Sequence, residues 1–205
     1  MKSVIRVTTL AAFAFSATAF AQTPATPPAA PAPPKLVGSI AGHPNWPVAK
    51  AEDVNSLEAI IGSVYKAISA AKGQQRDWDR FRSLFIPDAA LIPTVSSPPA
   101  PGPPGHADAI LLSVEGYIQR SNGRMTTDGF FEKSIHNEAQ QFGNIVQVWS
   151  TYESRHSPDD PKPFARGINS FQILKDGDRY WVVNIFWDSE TPNKPIPAKF
   201  LPQQQ

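Results

Sequence analysis

Four β-patterned segments in the second half of the chain, residues 129–139, 143–156, 164–175 and 179–189, restrict its fold more than any other feature. They are rich in β-branched and aromatic residues and are separated by turn residues, the composition of strands. Asp176-Gly177 falls between the last two and is a strong two-residue hairpin signal. With this pair as the loop, Lys175 faces Asp178, and the count predicts Ile173 opposite Tyr180 and Phe171 opposite Val182. The same count sets Asn169 opposite Asn184 and Gly167 opposite Phe186. Side chains alternate along a strand, so these residues are expected on one face. The other face would hold Arg166 with Trp187, Ile168 with Ile185, Ser170 with Val183 and Gln172 with Trp181. Both faces are largely apolar. One should cover helices, and the other should meet a partner or a pocket.

The first half of the same region reads as helical. Residues 53–71 carry Val54, Leu57, Ile60, Ile61, Val64, Tyr65 and Ile68 at the spacing of one helix face. Asp53 or Asn55 is the expected N-cap, and Gly73 lies past the end. A second helix is predicted over 77–85, capped by Asp77, with Trp78, Phe81, Leu84 and Phe85 on one side and Pro87-Asp88 as the stop. Ala89–Val95 reads as a short strand. A third helix is predicted over 112–121, with Ser113 as cap and Gly123 as stop. Three helices packed on a curved antiparallel sheet make an α+β domain, assigned to residues 51–202. Its length suits one domain.

Outside it the chain changes character. Twelve of the 22 prolines fall in two clusters, residues 22–34 and 93–104. Residues 1–21 combine Lys2 and Arg6, an apolar stretch and Ala19-Phe20-Ala21, the pattern of a cleaved signal peptide. Residues 22–50 then form a Pro/Ala-rich tether and lead-in, extended rather than packed. The second cluster predicts an exposed loop over 93–105, excluded from any central strand because proline lacks a donor. The protein is expected to be exported, periplasmic or secreted, with no membrane association after cleavage. Removing Lys2 and Arg6 from 19 cations leaves 17 against 18 acids, so the formal charge moves from +1 to −1. Near-neutrality gives no footprint for nucleic acid. The absence of Cys excludes disulfides, thiolate metal sites and Cys nucleophiles.

The helix 53–71, the run Trp78…Leu84-Phe85-Ile86-Pro87-Asp88-Ala89, and the block from Arg166 through Leu174 to Tyr180-Trp181-Val182-Val183 resemble the NTF2-like (SnoaL-like) superfamily. The resemblance is greatest to exported members of unassigned role. It implies a cone-shaped NTF2-like/cystatin-like roll and says little of activity, because one such fold hosts many functions. In the ketosteroid isomerase branch, a helix Tyr and a strand acid form an oxyanion hole beside a carboxylate base. The resemblance carries the Tyr onto Tyr65, the strand acid onto Asn169 and the base onto Pro93, which cannot move a proton. Homodimerisation through the outer face of the sheet is also implied, and the two-sided apolar hairpin agrees with it.

These readings define the candidate site. Tyr65, Asn169 and Asn184 would form the polar end of a pocket, and Trp78, Phe171 and Phe186 complete the ligand-binding set. Glu132, Ser134, His136 and Glu138 alternate on one predicted strand face, which makes His136 the candidate base. Glu153, Arg155 and Arg166 would clamp a carboxylate ligand or form cross-strand ion pairs. His43, His106, His136 and His156 show no ligand spacing, so neither a metal nor a cofactor is expected. Two functions follow. One is binding of a small apolar molecule, or a dimeric scaffold role. The other is an isomerase or dehydratase with Tyr65 and Asn169 as donors and His136 as base.

Overall fold

The computed structural model describes residues 45–96 and 107–203, all within the unit Leu36–Gln205. The predicted signal peptide, the tether up to residue 44 and loop residues 97–106 lie outside the described residues.

The helical half contains α1 (Ala51–Val54), α2 (Leu57–Ile68), α3 (Trp78–Ser83) and α4 (Val114–Asp128), four helices where three are expected. The predicted helix 53–71 is divided because Ser56 caps α2, its hydroxyl accepting from Ala59 N at 3.0 Å. Asp53 does not cap it. That carboxylate is buried and accepts from Ser63 Oγ and from both Nε and Nη2 of Arg80, fastening α1 and α2 to α3. Asp77 caps α3 and Ser113 caps α4, as expected. Gly123 does not stop α4, which runs on to Gly129. There φ is +73° and the chain passes against the His156 carbonyl, two demands that only glycine meets together.

The strands are β1 (Phe85–Ser96), β2 (Ala107–Ala109), β3 (Leu112–Ser113), β4 (Phe131–Phe142), β5 (Ile145–Arg155), β6 (Ala165–Asp176) and β7 (Arg179–Ser189). They form a curved, unclosed sheet in the order β2-β1-β7-β6-β5-β4, with β3 also on β1. The sheet is mixed rather than wholly antiparallel, because β1 runs parallel to β7. No hairpin joins these two strands, so no tight turn imposes an antiparallel direction. Pro87-Asp88 falls where the β1–β7 register is irregular, and β1 continues through Pro93. Pro93 donates nothing but accepts from Ile110 N at 3.1 Å, so the expected exclusion of this stretch from an interior strand fails at its first residues.

The hairpin loop is Gly177-Asp178, with Asp176 facing Arg179, and not Asp176-Gly177. Gly177 has φ +58° at the first central position and Asp178 has a negative φ, as in a type II′ turn. A bulge at Val183 then adds one residue to β7. Asn169 therefore faces Trp187, Phe171 faces Ile185 and Ile173 faces Val182. Asn184 and Phe186 pass to the opposite face.

The core lies between the helices and the inner face of the sheet. Ile60, Ile61, Val64 and Ile68 of α2 pack with Val146, Val148, Phe171, Ile173 and Val182 of the strands. Buried Arg76 closes one corner, its guanidinium donating to Ile68 O at 2.8 Å and Met125 O at 2.9 Å. That contact fixes the C-terminal end of α2 against the second half of α4.

Candidate active site in the cavity between helices and sheet

Beyond the core, the space between α2, α4 and strands β4–β7 widens into a cavity of about 380 Å³. Tyr65 reaches its deep end from α2. The Tyr65 hydroxyl lies 2.7 Å from Ser150 Oγ on β5 and accepts from Asn169 Nδ2 on β6 at 3.0 Å. Both strand partners are buried on the inner face, where Ser150 and Asn169 stand opposite each other. Burial pushes the Tyr65 phenol well above its ordinary range. It remains protonated, and because Ser150 Oγ donates to Ser134 Oγ at 3.2 Å, the phenol proton is directed at Ser150.

Glu132 enters from β4, the edge strand. Its backbone N accepts placement from α2, donating to Ser69 Oγ at 3.0 Å, and its Oε2 accepts from Ser154 Oγ at 2.6 Å. Asn169, which donates to Tyr65, also lies near enough to the carboxyl to favour its charged form. Glu132 retains partial exposure and lines both this cavity and a second hollow bordered by Lys66, Lys133 and Arg155. Desolvation raises its carboxyl to about 7, against the opposing effect of the Ser154 hydrogen bond and of Asn169. Tyr152 on β5 completes this end. It is raised to about 12 by burial and bonds Ser189 at 3.1 Å. Trp187, Ile185, Leu91 and Phe130 supply apolar wall, with Tyr117 edge-on to Trp187 at 6.2 Å. At the mouth stand Arg120, Arg124 and Asp128 of α4, and His156 stacked on Phe164 with ring centroids 4.2 Å apart.

The structure brings together Tyr65 and Asn169 of the predicted set and separates the others. Phe171 is buried beneath the cavity, edge-on to Tyr65 at 6.2 Å, and does not line it. Trp78 packs edge-on to Phe81 and donates to Asn122 Oδ1 at 3.2 Å, also away from the lining. Asn184 and Phe186 lie on the outer face, moved there by the Val183 bulge. His136 is on the outer face too. A bulge at Ile135 leaves Glu132 and Ser134 opposite inner residues Ser154 and Tyr152, while His136 and Glu138 stand opposite outer residues Thr151 and Trp149. Glu153, Arg155 and Arg166 form ion pairs, with Arg155–Glu153 at 2.9 Å and Arg166 reaching Glu190 at 3.5 Å. Among the described residues no group of three or more His, Cys, Asp or Glu is arranged to hold a metal, and no helix is long and apolar enough to cross a membrane.

Glu132, Ser150 and Ser154 were absent from the predicted site. Glu132 was legible only as one member of an alternating polar face, and the two serines as polar residues on an inner strand face. Three hydroxyl-bearing residues at every second place of a buried strand, Ser150, Tyr152 and Ser154, are the available signal.

The architecture is that of an α+β protein with helices covering one face of a curved sheet. The solved structures similar to it are cystatin-like and NTF2-like proteins. A cystatin-like-fold protein of unknown function from Nostoc punctiforme has 11% identity and a TM-score of 0.46, over 63% of this chain and 85% of that one. An NTF2-like protein of unknown function from Silicibacter pomeroyi has 13% identity and a TM-score of 0.42, over 65% and 92%. A candidate ketosteroid isomerase from Parabacteroides distasonis has 15% identity and a TM-score of 0.41, over 67% and 91%. No protein-family model and no curated protein matches the chain.

Proposed function

We propose that the cavity binds a small, largely apolar molecule bearing one carbonyl or hydroxyl oxygen. The observation that carries this reading is the convergence of Tyr65, Asn169 and Glu132 at the deep end of a cavity with aromatic and aliphatic walls. A few placed polar groups in an otherwise apolar concavity are the usual composition of a small-molecule site. A thermal-shift series with aryl and cycloalkyl ketones tests it. Wild type should be stabilised by at least one ketone, and Tyr65→Phe should respond less. No response in either protein overturns the reading.

A second reading, proton transfer of the isomerase or dehydratase type, is favoured by Glu132. A carboxyl near 7 is matched to proton exchange at neutral pH. In this scheme the ligand is a β,γ-unsaturated ketone: the Glu132 carboxylate removes a proton from the carbon between carbonyl and double bond, and Tyr65, turning its hydroxyl proton away from Ser150, donates a hydrogen bond to the resulting dienolate oxygen. Glu132 then returns the proton to a different carbon, so no co-reactant is consumed. Glu132 takes the role expected of His136. Solvent deuterium incorporation into a bound ketone, lost in Glu132→Gln, is the expected signature; equal incorporation by both forms contradicts it.

Export and dimerisation belong to the same proposal. N-terminal sequencing of secreted material should begin at Gln22. The outer face exposes Phe142, Ile145, Trp149 and Phe186, and sedimentation should give twice the chain mass. A monomer at micromolar concentration would remove the dimer from the reading.

A further inference from the structure

Resting on the cavity reading, we infer that the ligand is an amphipathic acid whose anionic group sits at the mouth, between Arg120 and Arg124, with its apolar body inside. Both guanidiniums belong to α4 and line the cavity together with Ser121 and Met125. Residues 120, 121, 124 and 125 form one helix face, so two cations one turn apart are aimed at the same opening. Like charges at this spacing destabilise an isolated helix. Several arginines elsewhere in the molecule are met by a carboxylate. Arg80 pairs with Asp53, Arg82 with Asp79 and Glu115, and Arg155 and Arg166 with Glu153. Arg120 and Arg124 pair with no carboxylate among the described residues. Asp128, one turn further on, also lines the mouth without closing an ion pair with Arg124. The charged groups at the mouth are thus two cations and one acid, with His156 turned to the Gly129 carbonyl.

The deep end sets the orientation. Glu132 would repel a carboxylate placed beside it whenever it is ionised, and among the described residues it forms no ion pair that would offset this. An acid entering this cavity therefore leaves its charge at the mouth, where bidentate guanidinium contacts are available, and directs its body toward Trp187 and Ile185. A neutral polar oxygen on that body would meet Tyr65.

The test uses one apolar body with three end groups: 2-naphthylacetate, its methyl ester and 2-(2-naphthyl)ethylammonium, titrated by isothermal calorimetry into the folded protein at low and physiological ionic strength. The carboxylate should bind about tenfold tighter than the ester and the ammonium weakest of all, a preference of about 1.4 kcal/mol that narrows as salt rises. In the Arg120→Gln/Arg124→Gln double variant, acid and ester should bind alike, with ester affinity close to wild type. The double Lys variant should recover part of the preference. Both arginines are exposed, so these changes leave the core intact. If acid and ester bind wild type equally, the inference is overturned and the cavity reading stands. If none of the three binds, the cavity reading falls and the inference with it.

Discussion

The inner face of the sheet has two ends built from the same strands. Toward the hairpin, β5 presents Val146 and Val148, β6 presents Ile173 and Phe171, and β7 presents Val182, all buried and in mutual contact with α2. Further along the inner face, β5 presents Ser150, Tyr152 and Ser154, β6 presents Asn169 and Gly167, and β7 presents Ile185, Trp187 and Ser189. The same strands pair on both sides of the change, with the Val183 bulge of β7 falling between Val182 and Ile185. Only the side chains differ, from apolar groups that fill space to polar groups that bond one another around a cavity. Stability and chemistry are therefore separated along the length of each strand, not assigned to different elements. The polar end is costly to build, since a buried polar atom without a partner costs about 1–3 kcal/mol. The Tyr65–Ser150, Tyr65–Asn169 and Glu132–Ser154 hydrogen bonds offset that cost.

Substitutions at the two ends should break or sharpen this division. The largest effect is expected at the filled end. Phe171→Ala should remove about 3–5 kcal/mol and lower Tm by roughly 6–20 °C in a calorimetric scan. A loss no greater than at the polar positions would dissolve the contrast. Gly167→Ala comes next, because a Cβ there would run into the Asp188 carbonyl oxygen and the Tyr152 hydroxyl. Overpacking of this kind costs about 1–3 kcal/mol, and tryptophan fluorescence of Trp187 should report the displaced wall.

Glu132→Gln has the opposite sign. The native carboxyl holds its proton up to about pH 7, against an ordinary value of 4.5, so the native state binds more protons than the unfolded chain between these values. Stability contributed by Glu132 is therefore fully present below about pH 4.5 and is lost as pH rises toward 7. The Gln variant should be more stable than wild type at pH 8 by about 1–3 kcal/mol, allowing for water in the cavity. The difference should close below pH 5 in paired urea titrations. Variants of equal stability at both pH values would contradict a desolvated carboxyl. The smallest effect is expected from Tyr65→Phe, about 1 kcal/mol, because Ser150 keeps its bond to Ser134 and Asn169 keeps the cavity beside it.

Much of the filled end was legible in the sequence. The spacing of Ile60, Ile61, Val64 and Ile68 gives a helix face, and Phe171 with Ile173 gives a strand face, both observed. Tyr65 and Asn169 enter the site through the resemblance, and each is also a polar residue on an otherwise buried stripe. The rest of the site depended on single inserted residues. One bulge at Ile135 moves His136 away from Glu132, and one at Val183 moves Asn184 and Phe186 away from Asn169. A bulge leaves no mark in an alternation pattern when residues on both sides are mixed in polarity, as in Glu132–Glu138 and Val182–Trp187. The parallel β1–β7 pairing was equally hidden, since it joins segments that no turn connects. What survived intact was the polarity change itself, at Asn169.

The ionisation of Glu132 is the most direct measure of whether the polar end is a desolvated site. Its carboxyl carbon can be assigned by comparing ¹³C spectra of glutamate-labelled wild type and Glu132→Gln, then followed across pH. A midpoint near 7, rising further when Asn169→Ala removes a group that favours the charged form, is the expected result. A midpoint at the ordinary value of 4.5, unchanged by Asn169→Ala, would show a solvated surface carboxylate and contradict the assignment of this end as a site.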